Sequence, residues 1–261
     1  MDEHVFVQSQ YATSTNLEDR MQIYSYSINE IDWHTWLFEQ YTIAPKQKIL
    51  EVGCGNGIIW KKNVTQLPQE IEIILTDQSE GMINAAREHL AAFPQFRFQV
   101  MRIEDLHFED DTFDLIIANH MLYHVPDLEQ ALREVRRVLK PQGRFVAATN
   151  SQDHQRELKD ALLEFDPACG YPQGDPMRFL LENGVQILGK EFSRIETHTF
   201  TNCLKIPAVQ PIMRYLFSIF DGVKYPDLRP RVQELEQYLQ TKMQDGIFTL
   251  TGRSGIFVCQ S

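Results

Sequence analysis

The chain has 261 residues, with 25 Lys and Arg against 36 Asp and Glu, a formal charge of −11, 43% hydrophobic and 23% charged residues. That length and apolar content suit a chain that buries a sizeable core without staples, and they exclude collagen-like, disordered and disulfide-scaffold classes. The acidic excess counts against a nucleic-acid partner, because gripping phosphates takes clustered Lys and Arg.

Cys54, Cys169, Cys203 and Cys259 contain no C-x-x-C pair and read as reduced, packed thiols. The opening MDEHVFVQSQ lacks the charged-then-apolar pattern of a secretory signal. No apolar run reaches the roughly 18 residues of a membrane span. The expected setting is cytoplasmic, with no membrane partner.

In chain order, residues 1–45 are polar and aromatic, and the spacing of Trp33, Trp36, Leu37 and Tyr41 predicts a helix over Leu17 to Tyr41. Residues 46–150 alternate strand and helix patterns. Predicted strands run over Lys48 to Val52, Glu70 to Thr76, Phe96 to Met101, Phe113 to Ala118 and Gly143 to Thr149. Helices are predicted over Ser79 to Ala92 and Leu128 to Leu139, the latter stopped by Lys140-Pro-Gln-Gly143. Such alternation predicts parallel βαβ units in a doubly wound, Rossmann-like α/β sheet. The rest, 151–261, predicts helices over Gln155 to Phe165, Pro176 to Asn183, Ala208 to Phe220 and Arg229 to Gln244, and a loop over Cys169 to Arg178. Strand-like runs at Phe192 to Thr201, Ile247 to Thr251 and Gly255 to Cys259 are expected to complete the sheet.

The most informative stretch is Glu51-Val-Gly53-Cys54-Gly55-Asn56-Gly57, where a strand turns into a helix. The carboxyl end of a strand is where open α/β sheets bind ligands. A dinucleotide fingerprint places its third glycine at the position of Ile58, and a P-loop ends in Lys-Ser/Thr, so neither fits. Asp77 closes the second strand 20 residues after Gly57, the separation at which an acid accepts hydrogen bonds from ribose hydroxyls.

The glycine segment resembles motif I of the class I S-adenosylmethionine (SAM) dependent methyltransferases, whose usual form is acid-x-G-x-G-x-G. Further matches follow at Thr76 to Met82, Phe98 to Phe108, Phe113 to Val125 and Leu139 to Gly143. They resemble the small-molecule, methyltransferase type 11-like branch. The resemblance implies a mostly parallel seven-stranded sheet in one domain over 1–261. Residues 1–45 then form an N-terminal helical lid, 46–150 the SAM-binding core, and 151–261 the sheet completion with substrate-cap helices.

It also implies that Gly53, Cys54, Gly55, Asn56 and Gly57 approach the methionine part of the cofactor and that Glu51 holds its ammonium. Asp77 and Gln78 then meet the ribose, while Met82 lies against adenine. Ile103 and Glu104 recognise the adenine through the third segment, although Arg102 stands where many relatives carry Asp. Asn119 at the end of strand four is assigned to the cofactor too. Arg20 is expected to pair with the cofactor carboxylate, and Tyr24 or Tyr26 to face the sulfonium through a cation-π contact.

Methyl transfer from a sulfonium is an in-line displacement, so alignment and exclusion of water supply much of the rate. Candidates for taking a proton from the acceptor are His120, His124, Tyr123 and His34. A branch resembling ubiquinone-pathway O-methyltransferases carries E-x-x-E-H where this chain has His120-Met-Leu-Tyr123-His124; without those carboxylates no metal is expected. The expectation is therefore transfer to a small or medium-sized acceptor, with S-adenosylhomocysteine (SAH) as product. A SAM-binding non-catalytic module and a methyltransferase acting on RNA or protein are the alternatives. Neither the oligomeric state nor the acceptor follows from the sequence.

Overall fold

The computed structural model describes residues 20–167, 178–219 and 229–260. The Ile- and Leu-rich runs of the first half form strands because both of their faces are covered. These are β1 (Lys48–Val52), β2 (Glu72–Asp77), β3 (Phe96–Val100), β4 (Phe113–Asn119) and β5 (Leu139–Asn150). With β6 (Arg194–Ile206) and β7 (Phe248–Gln260) they make one seven-stranded sheet among the described residues, in the order β3-β2-β1-β4-β5-β7-β6. β1 pairs in parallel with β2 and β4, β4 with β5, and β7 is antiparallel to both β5 and β6. Chain order reverses between β1 and β4, so a ligand crevice opens at their carboxyl ends.

Two cores cover the sheet. Leu50, Ile74, Ile116 and Phe145 face one side, under helix α4 (Leu128–Val138). Ile49, Ile73, Ile117 and Val146 face the other, under α1 (Trp33–Gln40), Trp60 of α2 (Ile58–Asn63) and Leu90 of α3 (Glu80–Leu90). Capping fixes several helix starts: Asp32, Ser79 and Asp127 each accept from a backbone N–H in the first turn.

A third cluster lies beyond the sheet. The pairing of β6 with β7 continues from Thr201–Arg253 to Ile206–Phe248, past the last β5 residue Asn150 opposite Ser254. On this projecting hairpin Leu204, Ile206 and Leu250 pack with α5 (Arg156–Phe165), α7 (Val209–Ile219), α8 (Val232–Thr241) and Ile23. The cap thus rests on an extended hairpin.

Three predicted elements differ. The helix expected over Leu17 to Tyr41 is interrupted: a 3₁₀ turn at Ile23–Tyr26 gives way to Ser27, which bridges Leu204, and α1 starts only at Trp33. The Ser27 hydroxyl donates to Asn202 at 2.7 Å and Asn29 Nδ2 to the Thr201 carbonyl at 2.8 Å. These side chains bind β6 at the expense of a helix. Residues 178–183 are not helical either. Leu180 N donates to Asn183 Oδ1 at 2.7 Å and Thr149 Oγ1 to the Phe179 carbonyl at 2.8 Å, and helix α6 (Gly184–Leu188) follows instead. The runs at 247–251 and 255–259 form one strand, since Gly252 and Ser254 stay paired with β6. Residues 17–19 of the predicted first helix, 169–177 of the predicted loop and Phe220 lie outside the described residues.

Candidate functional site

The three glycines of the first loop have φ of 66°, 55° and 70°, a left-handed backbone that side chains resist. At Gly53 a Cβ would come within 2.8 Å of Met121 Cγ, so the loop also packs tightly on the turn after β4. Asp77 secures the loop from the next strand. Its Oδ2 accepts from Gly55 N at 3.0 Å and its Oδ1 from Ser79 N at 2.8 Å. Ser79, not Asp77, caps the next helix, so the Asp77 carboxylate is bound to the glycine turn and faces the crevice. Burial raises its pKa, opposed by those two backbone donors.

Glu51, 2% exposed, lies beneath the loop. Trp60 Nε1 donates to its Oε2 at 2.5 Å and Asn119 Nδ2 to its Oε1 at 2.7 Å. Burial nevertheless pushes its pKa up to about 7. The Asn119 amide also donates to the Tyr41 hydroxyl at 2.7 Å, while its Oδ1 is buried with no hydrogen-bond partner among the described residues. An acceptor left so is costly unless a donor reaches it. Glu51 and Asn119 Oδ1 together suit a cationic ammonium. With Asp77 for hydroxyls and buried Met82 and Ile103 for a flat apolar ring, the residues present fit SAM.

These residues line one end of a cavity of about 1090 Å³. Gly53, Cys54, Gly55, Asn56, Gln78 and Glu104 line it too. Gly57 lies behind the loop, where a Cβ would meet Leu90 at 3.2 Å and Ala86 at 3.3 Å. Glu104 is occupied by Arg102, whose Nη2 is 3.0 Å from Oε1, so the arginine that replaces an expected acid neutralises its neighbour. Burial pushes the Cys54 thiol up, leaving it an unreactive wall.

All four proton-transfer candidates line the cavity. His120 takes φ 51°, and its ring lies 5.3 Å from that of Trp33. Burial, then the nearby His154 and His34, lower its pKa to about 3, so the imidazole is neutral at pH 7 and only a weak base. Tyr123 and His124 contact each other edge to face at 4.5 Å. His34 Nδ1 lies 3.2 Å from the Lys62 ammonium and 3.5 Å from Asp32 Oδ1, so a donor and an acceptor compete for that nitrogen. Among the described residues no three His, Cys, Asp or Glu side chains converge as metal ligands.

Arg20 and Tyr24 of the N-terminal segment line the cavity as well. Arg20 Nη2 donates to the Ser218 carbonyl at 3.1 Å, which spends that donor on the cap. The Tyr24 hydroxyl sits 3.4 Å from His154 Nε2. Tyr215, on a helix expected to cap the acceptor pocket, lines the cavity too, and so do His154, Phe200 and Asn202, which were not foreseen. Only the β6–β7 overhang and the cap bring them there, and no local motif marks them. Trp60 did carry a signal, one turn after Gly57 on a helix that must face β1.

Residues 50–147 match the family model described as a methyltransferase domain. The chain is 32% identical over 130 residues to the demethylmenaquinone methyltransferase of Symbiobacterium thermophilum, which is 49% of this chain and 52% of that protein. It is 36% identical over 118 residues to the ubiquinone/menaquinone biosynthesis C-methyltransferase of Rickettsia prowazekii, covering 43% and 48%. The chain thus spans about half the length of the curated relatives it matches. Among solved structures, the [4+2]-cyclase SpnF superposes with a TM-score of 0.61 at 17% identity, covering 97% of this chain and 95% of that one. At that identity the likeness concerns the fold.

Proposed function

We propose that this chain, a member of the class I SAM-dependent methyltransferase family, binds SAM and transfers its methyl group to a small acceptor. The observation that carries this reading is the cradle made by Glu51, the glycine loop, Asp77 and the unsatisfied Asn119 Oδ1, opening into a cavity large enough for a second molecule. Bound in it, SAM supplies a methyl group on a positively charged sulfur. Glu51 and Asn119 hold the ammonium, Asp77 the ribose hydroxyls, and Met82 and Ile103 the adenine.

The remaining space takes the acceptor. Its walls near His120 are aromatic: Trp33 and Phe200 line it 5.5 Å apart, with Trp36 packed against both. Such walls suit a ring, and both named relatives act in quinone biosynthesis or on a quinone precursor, so the proposed acceptor is a small, partly apolar ring compound. The chain's role is to align acceptor and methyl and to exclude water. The same fold carries a cyclase, so fold alone does not fix the reaction and the assay must detect product.

Isothermal titration with SAM and SAH comes first, followed by a screen of hydroxylated aromatic and quinol acceptors that measures SAH release. Absence of binding by folded protein rejects the reading. Binding without SAH release from any acceptor class favours a non-catalytic module.

A further inference from the structure

The cap end of the cavity holds a set of hydrogen bonds with a definite direction. His154 Nδ1 lies 3.1 Å from the Arg253 backbone N–H and 3.0 Å from the Arg253 carbonyl oxygen. That amide can only donate, whereas the Arg253 carbonyl already accepts from Ser151 N at 3.0 Å. Satisfying that part-buried amide makes Nδ1 the acceptor, so the imidazole proton sits on Nε2. Nε2–H then donates to the Tyr24 hydroxyl oxygen at 3.4 Å, and Gln155 Nε2 approaches the same oxygen at 3.5 Å. With its oxygen receiving these donors, Tyr24 is left to turn its own O–H into the cavity that Tyr215 also lines. Tyr24, Tyr215 and His154 all line the cavity.

From this we infer that the Tyr24–Tyr215 hydroxyl pair, backed by His154, is a recognition subsite for an acceptor oxygen that takes hydrogen bonds, the phenolate or carbonyl oxygen of a ring. The inference rests on the methyl-transfer reading and deepens it by naming the acceptor's polar group. Prearranged donors in a site closed to water favour a charged oxygen far more than water-exposed ones do. Burial keeps both partners in the form the subsite needs: Tyr24 is pushed well above the ordinary tyrosine range and stays protonated, and His154 is lowered to about 4 and stays neutral. The hydroxyl donors are neutral and the Arg20 guanidinium, whose Nη2 is spent on the Ser218 carbonyl, acts on Tyr24 as well, so the subsite favours an oxygen that acquires negative charge as the ring becomes nucleophilic.

The test uses 4-nitrophenol as probe, bound to the SAH complex of the full chain, because its visible band reports ionisation. Titration should show the phenolate band appearing at least one pH unit lower on the wild-type complex than in free solution, a tenfold preference for the ionised form. Tyr24→Phe should remove most of that shift while SAH affinity, measured separately, changes less than twofold. His154→Gln should diminish the shift partially, and Tyr215→Phe serves if Tyr24→Phe fails to fold. A probe band unshifted by the wild-type complex, or equally shifted in Tyr24→Phe, overturns the subsite. So does a loss of SAH affinity in Tyr24→Phe with the band unchanged, which returns Tyr24 to the cofactor. Failure of SAH itself to bind condemns the methyl-transfer reading instead.

Discussion

Glu51 combines two demands in its proposed role, since it must be buried to lie under the glycine loop and charged to hold a cation. Trp60 and Asn119 donate to its two oxygens, yet burial wins and the carboxyl rises from 4.5 to about 7. A carboxyl raised in this way binds its proton more tightly folded than unfolded, so folding stability is fullest below pH about 4.5 and declines as pH rises toward 7. The shift corresponds to about 3 kcal/mol at most. Glu51→Gln should therefore gain stability on wild type between pH 5 and 8, read as converging or crossing urea midpoints. Binding of an ammonium should expel the Glu51 proton, so SAH affinity of the wild type should rise from pH 5.5 to 7.5 and that rise should vanish in the variant. A wild-type affinity independent of pH would remove Glu51 from the ammonium.

Gly53 answers to geometry in place of charge. At φ 66° an L-residue is strained, and its Cβ would overlap Met121 at 2.8 Å. Gly53→Ala should cost about 1–2 kcal/mol of stability from the backbone alone, and should weaken SAH at least tenfold by displacing the turn after β4. Chemical melts and titration measure the two separately. Here the sequence was most legible: glycines at alternate positions after a strand, and an acid one strand later, report a backbone turn and its tether without tertiary information. Asp77 does more than that spacing reveals, because its carboxylate holds Gly55 N as well as facing the crevice.

Among the elements, the lid and the hairpin depend on each other. Asn29 joins them from both ends of its amide, donating to the Thr201 carbonyl at 2.8 Å and accepting from Cys203 N at 3.2 Å. Two such bonds are worth about 1–3 kcal/mol together. Asn29→Ala should speed hydrogen exchange at the Cys203 amide by at least tenfold while leaving β1 and β4 amides unaltered. Equal acceleration across the sheet would mean that Asn29 supports the whole fold. This joint also explains why the lid was misread as one helix. Aromatic spacing specifies a helix from Trp33 onward, but residues 27–29 spend their polar groups on a strand some 170 positions later, and local pattern carries no trace of that. His154 and Asn202 were hidden for the same reason, being brought to the site by an overhang whose length only the pairing of β6 with β7 determines.

At the scale of the molecule, the cofactor cradle and the acceptor end lie on one continuous sheet, β1 and β4 at its middle and the β7–β6 hairpin at its edge. Phe257 of β7 and Phe145 of β5 share a core with Leu50 of β1. Continuity of pairing and core predicts a single cooperative unit, so a ligand held by β1, β2 and β4 should stabilise the remote cap equally. If SAH binds only the native state, a concentration of 100 times its dissociation constant adds about 2.7 kcal/mol. For a chain of this size that raises Tm by about 5–10 °C. Calorimetry should then show one transition that moves as a whole, with near-ultraviolet dichroism of the aromatic cap following the same curve as the sheet. Two transitions, only one of them shifted by SAH, would mean that the cap folds independently. The acceptor end would then be a mobile cover over the cofactor, and the hydroxyl pair at Tyr24 and Tyr215 would form only when the lid closes.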